Sequence, residues 1–344
     1  MERVGVGFVG CGGVCRLRHL PGLQKIPGVE FAAVANRSRE SSEEVAQEAG
    51  IAHAADSWEE VVQHPGVDAV VIGTWPYRHH EVSVAALRAD KHVFCQARMA
   101  MDAEEAREMR DAARSSGRVA ALCPVPFGLS VNATVLRLLR EGQLGTVHLV
   151  LVRSFSDVNL DSKAMMSWRK DHRLSGLNVL TLGMYVEVIH RWFGTTREVM
   201  TAAQIFTQQR HDALGETVEV RIPDQVLLNT VTQKHVAVQY AISGMVPVAG
   251  DSIEIYGSKA SLYYDVTNDL LYWQKDRERR EPVAIAPEDH YDVVDWHVEE
   301  QFINAIRTGA PYHPDFEDGY RYMQVVEAAA ESSRTGTLVR IAEL

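Results

Sequence analysis

Apolar residues in the first third of the chain fall in short continuous runs. Val4-Gly5-Val6-Gly7-Phe8-Val9, Val29-Glu30-Phe31-Ala32-Ala33-Val34-Ala35, Val67-Asp68-Ala69-Val70-Val71-Ile72-Gly73, Lys91-His92-Val93-Phe94-Cys95 and Val119 to Leu122 each read as a strand. Runs of this kind suit strands buried on both faces, as in a parallel sheet covered by helices. Between them lie helical stretches: one toward Leu23, one through Leu87, and one from the cap Asp102-Ala103-Glu104-Glu105 to Ser115. From Val147 the period changes to alternation, in Val147-His148-Leu149-Val150-Leu151-Val152, Val218-Glu219-Val220-Arg221-Ile222, Gln225 to Ser243 and Ser252 to Tyr264. Such strands pair antiparallel with one packed face. A long helix from Leu177 to Phe193 interrupts them, and a helix from Gly319 to Ser333 precedes a last strand, Leu338 to Ile341. The pattern predicts a doubly wound parallel α/β sheet over 1–122, followed by an α+β domain with a large, mostly antiparallel open sheet over 123–344. The join at Cys123-Pro124-Val125-Pro126 is direct, and 344 residues suit two domains of about 150 each.

The first strand runs into Gly10-Cys11-Gly12-Gly13-Val14-Cys15 and then a helix. In the order strand, turn, helix, a G-x-G-x-x-G-like turn predicts a dinucleotide-binding Rossmann domain. Gly10 supplies the tight turn and Gly12 lets backbone N–H groups approach a pyrophosphate, while Cys15 is small enough for close packing. A tight turn in another kind of α/β protein is the alternative. After the second strand stands Asn36-Arg37-Ser38, where an acidic residue would bind the ribose of NAD. A neutral Asn36, a cationic Arg37 and a hydroxyl on Ser38 favour the 2′-phosphate of NADP, with NAD as the alternative if Arg37 stacks on adenine instead. Ser38 or Ser41 also suits a helix cap, and Ser41-x-x-Glu44 has the form of a capping box.

Composition narrows the choice. The chain has 46 acidic against 35 basic residues and a net charge of −11, which argues against nucleic-acid or anionic-membrane partners. No apolar run approaches the roughly 18 residues of a membrane helix. The strand pattern begins at Val4, so no signal peptide is expected. The 4 cysteines, Cys11, Cys15, Cys95 and Cys123, form neither a disulfide framework nor a metal spacing. Cys11 and Cys15 share a helical face as packing residues. A reducing cytoplasm is the expected compartment. Asp289, His290, Asp292, Asp295 and His297 have a metal-like spacing but read better as a helix start, so no metal is expected.

The chain resembles the Gfo/Idh/MocA family of glucose–fructose oxidoreductase and inositol dehydrogenase. The resemblance is carried by the glycine turn, Val67 to Ile72, Ala85-Ala86-Leu87 before Lys91-His92-Val93, Glu141-Gly142-Gln143-Leu144-Gly145 and Trp168-Arg169. Ile255-Tyr256-Gly257-Ser258-Lys259-Ala260, Glu317-Asp318-Gly319 and Ser332-Ser333-Arg334-Thr335-Gly336 extend it to the end of the chain. It implies NAD(P)-linked hydride transfer to or from a carbon of a sugar, cyclitol or polyol. It further implies that Gly10, Gly12, Gly13, Val14, Cys15, Asn36, Arg37, Ser38, Thr74, Trp75, His79, Gln96, Arg98, Trp168 and Arg169 line the cofactor.

Two of the family's catalytic motifs are altered. Where the family has Cys-Glu-Lys-Pro, this chain has Cys95-Gln96-Ala97-Arg98, so Ala97 replaces the lysine and Arg98 the proline. Where the family has Asp and His four residues apart on the long helix, this chain has Thr181 and Tyr185. Tyr185 is then the expected proton donor to a developing alkoxide, with Lys170 or Arg169 as the nearest cation. Asn178, Thr181 and Lys170 are expected to orient substrate oxygens, although Asn178 also suits a helix cap. Glu187 reads as the partner of Arg191 at i,i+4. His172 and His190 read as structural or solvent-facing.

The combination predicts NADPH-dependent reduction of a keto-sugar or similar polar ketone, with a homodimer or homotetramer formed through the C-terminal sheet. One alternative is a lyase or glycosidase that retains its cofactor and works by transient oxidation, without net consumption of NADPH. The other is a non-catalytic dinucleotide-binding protein, in which Tyr185→Phe would leave function intact.

Overall fold

Strand β1 (Val4–Val9) is buried at every position. It is central to a sheet completed by β2 (Val29–Ala35), β3 (His53–Ala54), β4 (Ala69–Ile72), β5 (His92–Cys95) and β6 (Ala120–Leu122). The order is β3-β2-β1-β4-β5-β6, with every pair parallel. The direction of winding reverses between β1 and β4, the place where doubly wound sheets open a ligand crevice. The computed structural model describes residues 3–126, 128–286 and 296–342. Among these no helix is long and apolar enough to cross a membrane.

The helices α1 (Leu20–Gln24), α2 (Arg39–Ala49), α3 (Trp58–Gln63), α4 (His79–Arg88) and α5 (Ala103–Ser116) alternate with the strands. Helix α2 begins at Arg39 because the Ser38 hydroxyl accepts the Ser41 N–H. Ser41 and Glu44 therefore lie inside the helix rather than forming its capping box. Asp102 caps α5 by accepting the Glu105 N–H at 2.9 Å. Ahead of α1, Cys15–His19 forms a π-helical turn, a feature that often marks functional segments.

The chain divides into one unit of Met1–Pro124 with Trp296–Tyr320, and another of Val125–Asp295 with Arg321–Leu344. The helix Val298–Thr308 places Val298, Phe302 and Ile303 in the first core, with Phe302 at 5.3 Å from Phe94. Burying such an aromatic side chain is worth about 1.5–3 kcal/mol, which is reason enough for the segment to return.

The second unit holds a nine-stranded sheet and a hairpin. The strands are β7 (Val147–Phe155), β8 (Thr196–Gln204), β9 (Gln209–His211), β10 (Thr217–Glu219), β11 (Gln225–Thr232), β12 (Ala237–Ser243), β13 (Gly250–Gly257), β14 (Ser261–Asp265), β15 (Leu270–Gln274), β16 (Glu281–Pro282) and β17 (Val339–Arg340). Sheet order is β16-β15-β14-β13-β7-β12-β11-β8-β17, with β9 and β10 paired apart. Only β7 and β12 pair parallel; the remaining pairs are antiparallel. The ends Phe155 and Ser243 thus lie side by side, and β13 starts opposite them, with Asp251 facing Ser154. This strand end positions the polar groups considered next. Helices α6 (Asn132–Arg140), α7 (His172–Ser175) and α8 (Leu182–Phe193) belong to the same unit. Helix α8 starts five residues later than Leu177, because Leu180 adopts φ 45°, a left-handed conformation that an α-helix does not continue through.

Candidate active site

In the first unit the glycine turn closes over the end of β1. The Gly10 N–H donates to Ala35 O at 2.8 Å and the Gly12 N–H to Gly10 O at 2.8 Å. Gly10 has φ +76°, and a Cβ there would lie 2.5 Å from Thr74 Cγ2 and 2.8 Å from Thr74 N, so only glycine fits. Gly13 differs: a Cβ there would meet nothing within 4 Å. The surrounding fold therefore sets no steric demand for glycine at this position. Gly13 and Val14 are exposed, and Cys15 is buried. The thiols of Cys11 and Cys15 lie 3.1 Å apart, and that contact together with burial keeps the Cys15 thiol well above its usual pKa.

Asn36 is committed to the fold. Its Oδ1 accepts the Cys11 N–H at 2.7 Å, and its Nδ2 donates to Ser41 O and Ser41 Oγ. These bonds make Asn36 a staple between β2 and the turn. Arg37 is exposed and makes no hydrogen bond or ion pair among the described residues, whereas Arg39 is tied to Glu43 and Asp56.

The loops after β4 and β5 are joined by His79. This ring is 1% exposed; its Nδ1 faces Arg98 O at 3.0 Å and Met99 O at 3.2 Å, and its Nε2 faces Thr74 O at 3.0 Å. Burial pushes its pKa down, outweighing those carbonyls. His79 is thereby a clamp for both loops. Thr74 Oγ1 is buried without a hydrogen-bond partner among the described residues. Trp75 is 37% exposed beside it. Gln96 is engaged through its side-chain amide with His19, whose other ring nitrogen meets Glu299. Arg98 has φ 57°, which proline cannot adopt, so this loop follows a different backbone from one built on Lys-Pro.

In the second unit the expected grouping around Tyr185 is redrawn. Tyr185 is 0% exposed and its hydroxyl donates to Asp251 Oδ2 at 2.6 Å. Burial first, and the Asp251 charge second, hold the phenol protonated far above its usual pKa. The cation expected to lower that value is elsewhere: Lys170 is buried against Asp224 at 2.7 Å and against Ile222 O. Burial lowers the Lys170 pKa, with Asp224 opposing the shift. Asp224 also accepts N–H groups from Phe206 and Thr207, so this pair pins a loop. Arg169 stacks over Trp168 at 4.3 Å. Asn178 donates to Ser175 O at 2.7 Å ahead of α8 and is buried there. Thr181 donates to Ser154 Oγ at 2.8 Å, and Ser154 donates to Asp251 Oδ2 at 3.1 Å. The Phe155 N–H donates to Asp251 Oδ1 at 3.2 Å.

The residues brought together are therefore Thr181, Ser154, Asp251 and Tyr185. Asp251 and Ser154 were not anticipated, because neither belongs to a local motif. Glu187 pairs with Arg191 at 2.7 Å as expected, and His190 bonds Thr196. Of the metal-like residues, Asp289, His290, Asp292 and Asp295 lie outside the described residues, and His297 faces Glu300. Another grouping, His313, Asp315 and Asp318, is the start of a helix in which Asp315 caps the Asp318 N–H.

A doubly wound sheet with this glycine turn, joined to a large second sheet, defines the class of NAD(P)-dependent oxidoreductases. Residues 4–122 match the family model for the oxidoreductase family NAD-binding Rossmann fold, and residues 137–341 match its C-terminal alpha/beta domain. The chain belongs to the Gfo/Idh/MocA oxidoreductase family. It is 23% identical to the uncharacterized oxidoreductase ORF334 of Rhizobium meliloti, over 98% of both chains. It is 32% identical to 1,5-anhydro-D-fructose reductase of Ensifer adhaerens over 51% of each. Its fold is similar to that of levoglucosan dehydrogenase in the apo form, with TM-score 0.90, 20% identity and 100% coverage of both chains. The same enzyme in complex with NADH and L-sorbose gives TM-score 0.88 at 19% identity, over 99% of both chains.

Proposed function

We propose that this protein is an NADPH-dependent reductase of a keto-sugar or a related polyol-type ketone, working in the cytoplasm as a homodimer or homotetramer. The observation that carries this reading is Arg37, an exposed guanidinium with no hydrogen bond or ion pair among the described residues, beside an Asn36 that the fold has already used. A free guanidinium at the ribose end of β2 suits a 2′-phosphate, which it can hold by charge-assisted hydrogen bonds. Gly12, Gly13 and Val14 take the pyrophosphate, and the unpartnered Thr74 hydroxyl offers a hydrogen bond further along the cofactor. When bound, the nicotinamide supplies hydride to a carbonyl carbon.

On the substrate side, the sugar-acting names among the relatives support a polyhydroxylated ketone. Tyr185 is held as a neutral phenol, the protonation state that reduction of a carbonyl asks of a proton donor. Tyr185 is joined to Asp251 directly and Thr181 through Ser154, whereas Lys170 is held by Asp224 and Asn178 by Ser175. Four buried unpaired cysteines suit a reducing compartment.

One titration and one activity assay test the reading. Energy transfer from tryptophan to the reduced nicotinamide is expected to saturate with NADPH at concentrations where NADH gives little signal. Consumption of NADPH is then expected with at least one keto-sugar of a panel of aldoses, ketoses and inosose-type ketones. Equal binding of both cofactors would remove the NADP preference, and an inactive panel would remove the substrate class.

A further inference from the structure

Four side chains of the first unit, drawn from three distant parts of the sequence, meet in one polar chain: Trp296, Glu299, His19 and Gln96. We propose that Glu299 and His19 are positioning residues of the cofactor site and act through Gln96. The inference rests on the cofactor-binding part of the reading above and not on the substrate. His19 ends the π-helical turn that follows the glycine turn, and Glu299 lies 280 residues further along, in the helix Val298–Thr308. Gln96 follows directly on β5, at the carboxyl end of the strand, the edge at which a doubly wound sheet takes its ligand.

The hydrogen-bond chemistry runs in one direction along the chain. A carboxylate only accepts, so His19 Nδ1, which faces Glu299 Oε1, carries the ring proton. Trp296 Nε1 donates to that same oxygen at 2.9 Å. His19 Nε2 is then the bare nitrogen, and it faces the Gln96 amide nitrogen, which only donates. The Gln96 amide is thereby fixed with its nitrogen toward His19. Its oxygen accepts no hydrogen bond among the described residues, and Gln96 keeps intermediate exposure. An acceptor held in this way suits a hydroxyl or amide N–H of the bound dinucleotide.

Burial separates this role from a purely structural one. His19 is 0% and Glu299 2% exposed, and the imidazole packs edge-on against Phe94 at 5.1 Å. A buried carboxylate is costly unless it is paired, and Glu299 Oε2 has no hydrogen-bond partner among the described residues, so stability alone is a poor account of this glutamate. Other groups fix the backbone of the loop. The Gln96 N–H donates to Ile72 O at 3.0 Å, and His79 faces Arg98 O and Met99 O. What His19 and Glu299 add is the orientation of one side chain.

The experiment measures NADPH affinity by isothermal titration calorimetry, with the thermal unfolding midpoint, on the full-length protein. His19→Asn keeps an N–H near the place of Nδ1 for Glu299 and removes the nitrogen that faces Gln96. This variant, Glu299→Ala and Gln96→Ala are each expected to weaken NADPH binding about tenfold, the worth of one hydrogen bond. Glu299→Gln, which keeps an acceptor oxygen for His19, is expected to stay within about threefold of wild type. The deciding comparison repeats His19→Asn and Glu299→Ala in Gln96→Ala protein, where neither is expected to weaken binding further by more than about twofold. A residue that merely supports the fold lowers affinity by the same factor in both backgrounds, and that result overturns the proposal. Wild-type affinity in His19→Asn, or a loss in Glu299→Gln as large as in Glu299→Ala, overturns it as well. Should Glu299→Ala not fold, His19→Asn in the two backgrounds decides alone. A wild type that binds neither NADPH nor NADH overturns the cofactor reading, and this proposal with it.

Discussion

Gly10 and Gly13 stand three positions apart in one turn, yet they are glycines for different reasons, and that difference can be measured. Gly10→Ala must place a side chain at φ +76° and within 3 Å of Thr74 backbone atoms, so it is expected to cost at least about 2 kcal/mol in urea unfolding. Gly13→Ala has open space around it, so stability should change by less than about 0.5 kcal/mol while NADPH affinity falls about tenfold. Equal affinity in Gly13→Ala and wild type would show that no phosphate approaches this point. Arg37→Ala is expected to weaken NADPH binding by about 10–100-fold and leave NADH binding unchanged, because only the 2′-phosphate distinguishes the two. The turn was legible in the sequence because its constraint is local backbone geometry. Asp251 was not, since its bond to Tyr185 spans 66 residues and depends on which strand end faces α8. The role of Asn36 was half legible: its neutrality could be read, but its bond to the Cys11 N–H could not.

Strands and helices were read in part: the nine-residue β8 was not read at all, and the strand expected over Val218 to Ile222 ends at Glu219. The helix expected from Leu177 starts at Leu182 because Leu180 is left-handed, and no periodicity announces that. The short β3 and the strands β15 and β16 carry too few residues for a period to register. His79 acts at this scale, since it ties the loop after β4 to the loop after β5. Its folded pKa is lowered by burial, so the unfolded chain binds the extra proton first as pH falls. Stability from this residue is therefore level above about pH 6.5 and declines as pH drops through that value toward the lower folded pKa. In His79→Gln that decline should be absent, while stability at about pH 8 falls by about 1–2 kcal/mol from the altered hydrogen bonds. Urea unfolding of both proteins at about pH 8 and about pH 5.5 provides the comparison. Parallel pH profiles for the two would refute a neutral, buried clamp.

For the molecule as a whole, the contrast between buried apolar runs and alternating strands was enough to separate a parallel sheet from an antiparallel one. It could not show that Trp296–Tyr320 rejoins the first unit, because an amphipathic helix such as Val298–Thr308 does not state which core receives its apolar face. The same alternation raises a question about the outward face of the second sheet. Leu149, Met200, Leu227 and Leu338 stand there 37%, 40%, 46% and 49% exposed, on four different segments, next to a shallow groove also lined by Leu151 and Val231. Exposed apolar side chains gathered on one face of a sheet mark association surfaces. A second copy of the chain is the occupant we expect, since an isologous contact lets one patch cover another. A stable interface of this kind buries about 1,200–2,000 Å², more than one groove supplies, so neighbouring strands of the sheet must join it. Sedimentation equilibrium at micromolar concentration is expected to give an integral multiple of the monomer mass. The double variant Met200→Glu and Leu227→Glu should sediment as a monomer with an unchanged circular dichroism spectrum, because both side chains point away from the buried face. A monomeric wild type would leave the patch to some other partner, and a variant that stays associated would move the interface elsewhere on the chain.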